Sequence, residues 1–297
     1  MTSAARPFRF GINFFTLGDA DEWRSRVRLA ESLGYDVVMV PDHLGLPSPF
    51  PALVAAAAAT ERVRLGPFVL NTAFNNPTLL AREVHTVDQL TGGRLDLGLG
   101  TGYTRSEFDD AGITYESPGR RIDHLRATVD RLDELAADES FLPRPTQQPI
   151  PLLLAGNGNR MLRMAARRAD IVGFTAATTD AQGRMTLEPE SYLDERVAFV
   201  ADAAGERAED VELNLLIHAV VVSDDPAERV ASWIKRLGLS VTPEEFVELP
   251  TTLVGTAEAI ADRLLALRER TGISYVTVLE PALEQFAEVI NLLRSAP

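Results

Sequence analysis

The run from Val63 to Phe108, VRLGPFVLNTAFNNPTLLAREVHTVDQLTGGRLDLGLGTGYTRSEF, constrains the fold more than any other segment of this chain. It reads as strand, loop, helix, strand and glycine-rich loop. The first strand is rich in Val, Leu and Phe and stops at Asn71. Pro77 follows where a first helical turn tolerates it, because the N–H it lacks has no partner there. Leu79, Leu80, Val84, Val87 and Leu90 recur at helical spacing, and Gly92-Gly93 ends the helix. Leu95, Leu97 and Leu99 then lead into Gly100-Thr101-Gly102. This is a βαβ unit with polar or glycine residues at both strand exits. In α/β folds those carboxyl ends are where ligands bind.

The same alternation runs through the chain. Strands are predicted at Phe8–Phe15, Val37–Val40, Val63–Leu70, Leu95–Leu99, Leu152–Ala155, Ile171–Phe174, Val211–Val222 and Ser274–Leu279. Helices are predicted at Trp23–Leu33, Phe50–Thr60, Pro118–Ala137, Arg160–Arg168, Tyr192–Ala203, Pro226–Leu237, Ala257–Arg270 and Pro281–Arg294. Thr242 with Glu245 three residues on reads as a capping box. Eight strands alternating with helices predict an α/β fold, a (β/α)8 TIM barrel with insertions at its C-terminal face. A doubly wound open sheet is the alternative, but no GxGxxG turn follows the first strand. Residues 1–297 read as a single barrel domain, with a polar excursion around 175–189.

Composition narrows the function. A net charge of -14 argues against a nucleic-acid partner. With no cysteine, disulfides, thiolate metal sites and a cysteine nucleophile are excluded. The start MTSAARPFRF has no apolar core of a signal peptide, and the Ala-rich stretch from Pro51 to Thr60 is too short to span a bilayer. A cytoplasmic protein without a membrane partner is the expectation.

Candidate site residues sit at the strand exits. Asp42 and His43 follow a fully apolar strand, and imidazole there suits proton transfer near neutral pH. Asp42, His43, His218 and Glu280 lack the spacing of a metal site, so no metal is expected. The sole lysine, Lys235, lies in a helix, which argues against Schiff-base chemistry. Two glycine-rich loops remain, Gly100-Thr101-Gly102-Tyr103 and Gly156-Asn157-Gly158-Asn159. The second precedes a helix N-terminus, with Arg160 beside it, and suits a phosphate. His85 and His124 read as structural, and His218 is open between a core and a mouth position. Phe14, Phe15, Phe68 and Phe74 read either as core or as walls of an apolar pocket.

Taken together, LAESLGYDVVMVPDH, the stretch from Thr60 to Ile113, PLLLAGNGNRMLRMAARRADIVGF and LVGTAEAIADRLLALRERTGISYVTV resemble the bacterial luciferase-like family of flavin- and deazaflavin-dependent oxidoreductases. The resemblance spans nearly all of Phe8 to Leu279. It implies a barrel carrying a flavin-type ring across its strand ends, contacted by Asn71 and Asp42. A non-prolyl cis peptide under the ring would fall at Phe68–Val69. The cofactor phosphate would sit near Gly100 to Tyr103 and Gly156 to Arg160. His43 after Asp42 matches the Asp-His pair of the deazaflavin branch, where the histidine exchanges a proton with substrate. That branch often has an acidic residue directly after Gly-Thr-Gly, where this chain has Tyr103. The branch's sugar-phosphate dehydrogenases use lysines that this chain lacks. The implied cofactor is coenzyme F420, with hydride transfer to or from a small organic substrate. The alternative is an FMN-dependent monooxygenase supplied by a reductase, and a third reading is a non-catalytic flavin-binding protein. The family is commonly dimeric, so a second copy and a redox partner system are the implied partners.

Overall fold

The computed structural model describes residues 6–179 and 185–295. The central sheet is parallel and is built from β1 (Arg9–Asn13), β2 (Val37–Val40), β3 (Arg64–Pro67), β4 (Leu70–Asn71), β5 (Leu97–Gly100), β6 (Leu152–Ala155), β7 (Ile171–Phe174), β10 (Glu212–Ile217) and β13 (Tyr275–Leu279). Two short pairs stand apart, an antiparallel hairpin of β8 (Ala177–Thr179) and β9 (Met185–Leu187), and a parallel pair of β11 (Ala219–Val222) and β12 (Thr252–Gly255). The helices are α1 (Ala20–Ser32), α2 (Pro49–Ala57), α3 (Pro77–Leu90), α4 (Arg105–Asp110), α5 (Pro118–Ala137), α6 (Asn159–Arg168), α7 (Glu190–Ala204), α8 (Ala227–Leu237), α9 (Pro243–Glu248), α10 (Ala257–Thr271) and α11 (Ala287–Ser295).

The sheet closes on itself through its third position. There β3 pairs with β2, and its successor β4 pairs with β5. Leu65 also bridges to Leu95, so one broken strand completes an eight-position barrel, the expected α/β architecture. The predicted strand Val63–Leu70 is therefore two strands, divided at Phe68–Val69, where the peptide bond is cis as the resemblance implied.

Side-chain alternation sorts each strand between two environments. Phe10, Ile12 and Phe14 face the helix layer, where Phe10 meets Phe286 at 5.9 Å and Phe14 meets Trp23 at 5.3 Å between ring centroids. Phe14 is thus core rather than a wall of a mouth pocket. Inside the barrel, Val37, Met39, Phe68, Leu153, Ile171 and Tyr275 form their own cluster. Their bulk fits because the neighbouring inward positions are small: a Cβ at Gly11 would lie 3.0 Å from Thr277 Oγ1. At the amino-terminal end, the nearly fully buried Asp96 accepts from the Arg9 and Arg64 guanidiniums, and Arg9 also pairs with Glu212 at 2.9 Å.

Local signals fix most helix starts. Asn76 accepts from the Thr78 and Leu79 amides ahead of Pro77, and Thr242 with Glu245 forms the expected capping box. Two further predictions need correcting. The long strand Val211–Val222 breaks at His218, because β11 leaves the barrel to pair with β12, which was not predicted. The closing helix Pro281–Arg294 is a 3-10 turn at Glu280–Ala282 followed by α11 alone. The polar excursion contains the β8–β9 hairpin, and its residues 180–184 lie outside the described residues.

Candidate active site

At the carboxyl end of the barrel, β2 runs into Pro41, Asp42 and His43. Asp42 accepts a hydrogen bond from the Asn71 amide at 2.9 Å, which ties the exit of β2 to that of β4. Burial pushes the Asp42 carboxyl above its ordinary value, and the Asn71 amide opposes this. Asp42 is thereby committed to positioning the loop that carries His43.

His43 Nδ1 lies 2.7 Å from Glu107 Oε1, and its Nε2 lies 3.5 Å from the Tyr103 hydroxyl. Glu107 stands in the first turn of α4, where a carboxylate also favours the helix dipole. The Glu107 side chain is largely buried, and that of His43 remains about a third open. A carboxylate on Nδ1 orients an imidazole and leaves its Nε2 to exchange a proton. Sequence reading missed Glu107, having sought an acidic residue directly after Gly-Thr-Gly. A short helix one turn further on brings the carboxylate back.

The first glycine-rich loop is packed against the broken strand. A Cβ at Gly102 would run into the Asn71 amide group, and one at Gly100 would run into Val69. Gly102 has φ +65°, which also favours glycine. Asn71 Oδ1 accepts from the Ala73 amide at 3.2 Å, so Asn71, Gly100, Thr101 and Gly102 form one ledge beside Phe68 and Val69. Tyr103 stands exposed at the rim, and the Tyr115 hydroxyl holds its carbonyl at 3.0 Å.

At the second loop, Gly158 caps α6 without any side-chain bond, leaving the first amides of that helix unclaimed by a cap. The side chains around them are less free than expected. Asn157 Nδ2 donates to Ala177 O at 2.6 Å, and Asn159 Oδ1 accepts from Arg196. Arg160 does not lean over the helix end: it pairs with Asp123 at 2.5 Å and donates to Gly119 O at 3.0 Å. Arg196 of α7 reaches the helix start through Asn159, and its buried Nε has no partner among the described residues. No local signal marks Arg196, since α7 reaches α6 only through tertiary packing.

The other histidines separate cleanly. His85 Nδ1 lies 2.8 Å from Pro143 O and His124 Nε2 lies 2.9 Å from Thr72 O, both bracing loops as expected. His218 is buried, and burial lowers its pKa to about 4. The folded state therefore disfavours its proton relative to the unfolded chain. Its contribution is complete above about pH 6.5 and is lost as pH falls towards about 4. Urea denaturation across that interval is expected to show a smaller acid loss in His218→Phe than in the native protein. Equal losses would refute the assignment.

A sequence model of luciferase-like monooxygenases matches residues 8–242. The chain belongs to that family. Family membership makes it an enzyme of oxidation and reduction on a luciferase-like barrel. It is 30% identical over 267 residues to an F420-dependent glucose-6-phosphate dehydrogenase of Beutenbergia cavernae, covering 81% of this chain and 76% of that one. It is also 30% identical over 182 residues to a 5,10-methylenetetrahydromethanopterin reductase of Archaeoglobus fulgidus, covering 57% of this chain and 53% of the reductase. The fold superposes on an F420-dependent secondary alcohol dehydrogenase solved with an F420-acetone adduct, with a TM-score of 0.78 and 18% identity over 98% of this chain and all of that one.

Proposed function

We propose that this luciferase-like chain is a coenzyme F420-dependent oxidoreductase that moves a hydride between the cofactor and a small uncharged organic substrate. The observation that carries the reading is His43, held through Nδ1 by Glu107 beside the Asn71–Gly102 ledge. The 30% identity to an F420-dependent dehydrogenase supports it.

The residues present fit such a group. Phe68, Val69 and Asn71 form the floor for a ring, with Gly100, Thr101, Gly102 and Tyr103 along one edge. The uncapped start of α6 at Gly156 to Arg160, with the unpartnered Arg196 Nε, suits a phosphate. When bound, F420 supplies a ring carbon able to give or take a hydride. This chain supplies the proton: His43 Nε2 takes it from a substrate hydroxyl or returns it to a carbonyl. Glu107 holds the imidazolium that forms meanwhile. The shortage of lysine argues against a sugar phosphate as substrate. We further propose that the chain acts as one domain, in the cytoplasm, as a dimer, and that a separate enzyme recycles the cofactor. No helix among the described residues is long and apolar enough to cross a membrane.

Titrating the protein with oxidised F420 and with FMN, followed by fluorescence, tests the reading. Micromolar or tighter binding of F420 with FMN much weaker is expected. The reverse preference would overturn it in favour of a reductase-supplied FMN monooxygenase, whose oxygen uptake is then measurable. Tight cofactor binding without turnover on any alcohol, ketone or enone would leave only a binding protein.

A further inference from the structure

Two buried polar side chains at the mouth of the barrel have no protein partner. Asn13 ends β1, and its Oδ1 makes no hydrogen bond among the described residues. His218 follows β10, and its Nδ1 makes none either. Each is more than nine-tenths buried, at 5% and 7% exposure. Buried polar atoms are nearly always paired, so orphans at the ends of two strands that flank a third point to a polar group received there.

Register puts them on either side of one strand. Asn13 pairs with Leu279 on β13, and Ile217, the residue before His218, pairs with Val278 on the other edge of β13. Asn13 lies on the inward alternation of β1, and His218 stands at the bend where the chain leaves β10. On β1 the inward neighbour is Gly11, whose Cβ would meet Thr277. On β10 the inward positions before His218 are Leu216 and, one layer deeper, Asn214, which donates to Tyr275 O at 3.2 Å and to Thr277 Oγ1 at 2.8 Å inside the barrel. Asn214 thus pairs through its Nδ2 and leaves its Oδ1 unpaired, whereas the Asn13 and His218 side chains make no hydrogen bond at all among the described residues. The strand between the pair, β13, lies across the barrel from β5, which leads to Glu107 and the glycine ledge.

We propose that Asn13 and His218 form a substrate subsite that holds an uncharged hydroxyl or carbonyl oxygen, facing the half of the mouth assigned to the cofactor. This deepens the proposed function and rests on it for the word substrate. The chemistry of the pair selects against charge. The amide offers one donor and one acceptor face, the neutral imidazole offers one of each, and neither is hydrogen-bonded to an ionised partner among the described residues. A carboxylate or phosphate would be stripped of water there without a cation to meet it.

The test uses the whole protein with 15N-labelled histidine, loaded with F420. Its probes are cyclohexanol, cyclohexanone and cyclohexanecarboxylate. The His218 ring signal is identified by its loss in His218→Phe. The alcohol and the ketone are expected to shift the native Nδ1 signal, and the carboxylate to leave it unmoved. Asn13→Leu is expected to weaken alcohol binding about tenfold, with F420 affinity within twofold and thermal stability unchanged or raised. A purely structural pair would move none of these binding readouts. A His218 signal indifferent to all three probes, or responding to the carboxylate as to the alcohol, overturns the inference. So does unchanged alcohol affinity in Asn13→Leu. If that variant does not fold, the native titration decides alone. If F420 itself does not bind, the proposed function fails, and the same titration on the unloaded protein still decides the subsite.

Discussion

His43→Ala is expected to lower kcat by about 10²- to 10⁴-fold, the range for losing a positioned proton-transfer group, while F420 affinity stays within about twofold. The split follows from the geometry. His43 bonds to Glu107 and reaches only the rim residue Tyr103 of the elements assigned to the cofactor, making no hydrogen bond to the α6 start or the Asn71–Gly102 ledge among the described residues. The measurement is steady-state turnover on the best substrate of an alcohol, ketone and enone screen, beside a fluorescence titration of the coenzyme. Glu107→Gln keeps the shape of the carboxylate and removes its charge. An intermediate loss, roughly tenfold to a hundredfold, is expected because the imidazole stays oriented while its cation goes unsupported. If His43→Ala keeps activity within a few-fold, the proton passes elsewhere and the dyad is structural.

Asp96→Ala is expected to cost about 3 kcal/mol of folding stability, the lower end for breaking a buried ion pair by removing one partner. Asp96 is 2% exposed and receives both Arg9 and Arg64 at the base of the barrel. Removing it leaves Arg64 without its carboxylate, whereas Arg9 retains Glu212. Urea denaturation reads the change as a lower midpoint at unchanged slope. A loss under about 1 kcal/mol would class the network with screened surface pairs. The expected effect is confined to stability, because the base lies at the opposite end of the strands from His43. Cofactor affinity of the folded variant should match that of the native protein.

Much of the architecture was legible because it is written locally. A buried parallel strand such as Val37–Val40 must be apolar throughout. Asn76-Pro77 and Thr242-Glu245 start helices through bonds that reach two or three residues. Gly102 after β5 and Gly156 after β6 mark places where the Asn71 and Met161 side chains leave no room for a Cβ, and the Asp42-His43 exit was found by its place after an apolar strand. The resemblance located the cis peptide at Phe68–Val69, which periodicity alone reads as one unbroken strand.

What stayed hidden involves partners far apart in the chain. His43 and Glu107 are separated by 64 positions, and only barrel closure brings the α4 turn over the β2 exit. Arg160 sits beside the glycine loop in sequence, yet Asp123 on α5 claims it, and Arg196 on α7 comes to the helix start instead. His218 lies within a continuous run of strand-forming residues. Its strand breaks because β12 offers β11 a second edge outside the barrel. Sequence by itself determined which segments become strands and helices and which loops face the ligand end, because capping and periodicity act over one or two turns. Tertiary structure alone decided which carboxylate meets which imidazole and which buried polar groups are left unpaired, because those outcomes depend on how eight strand positions close into a ring.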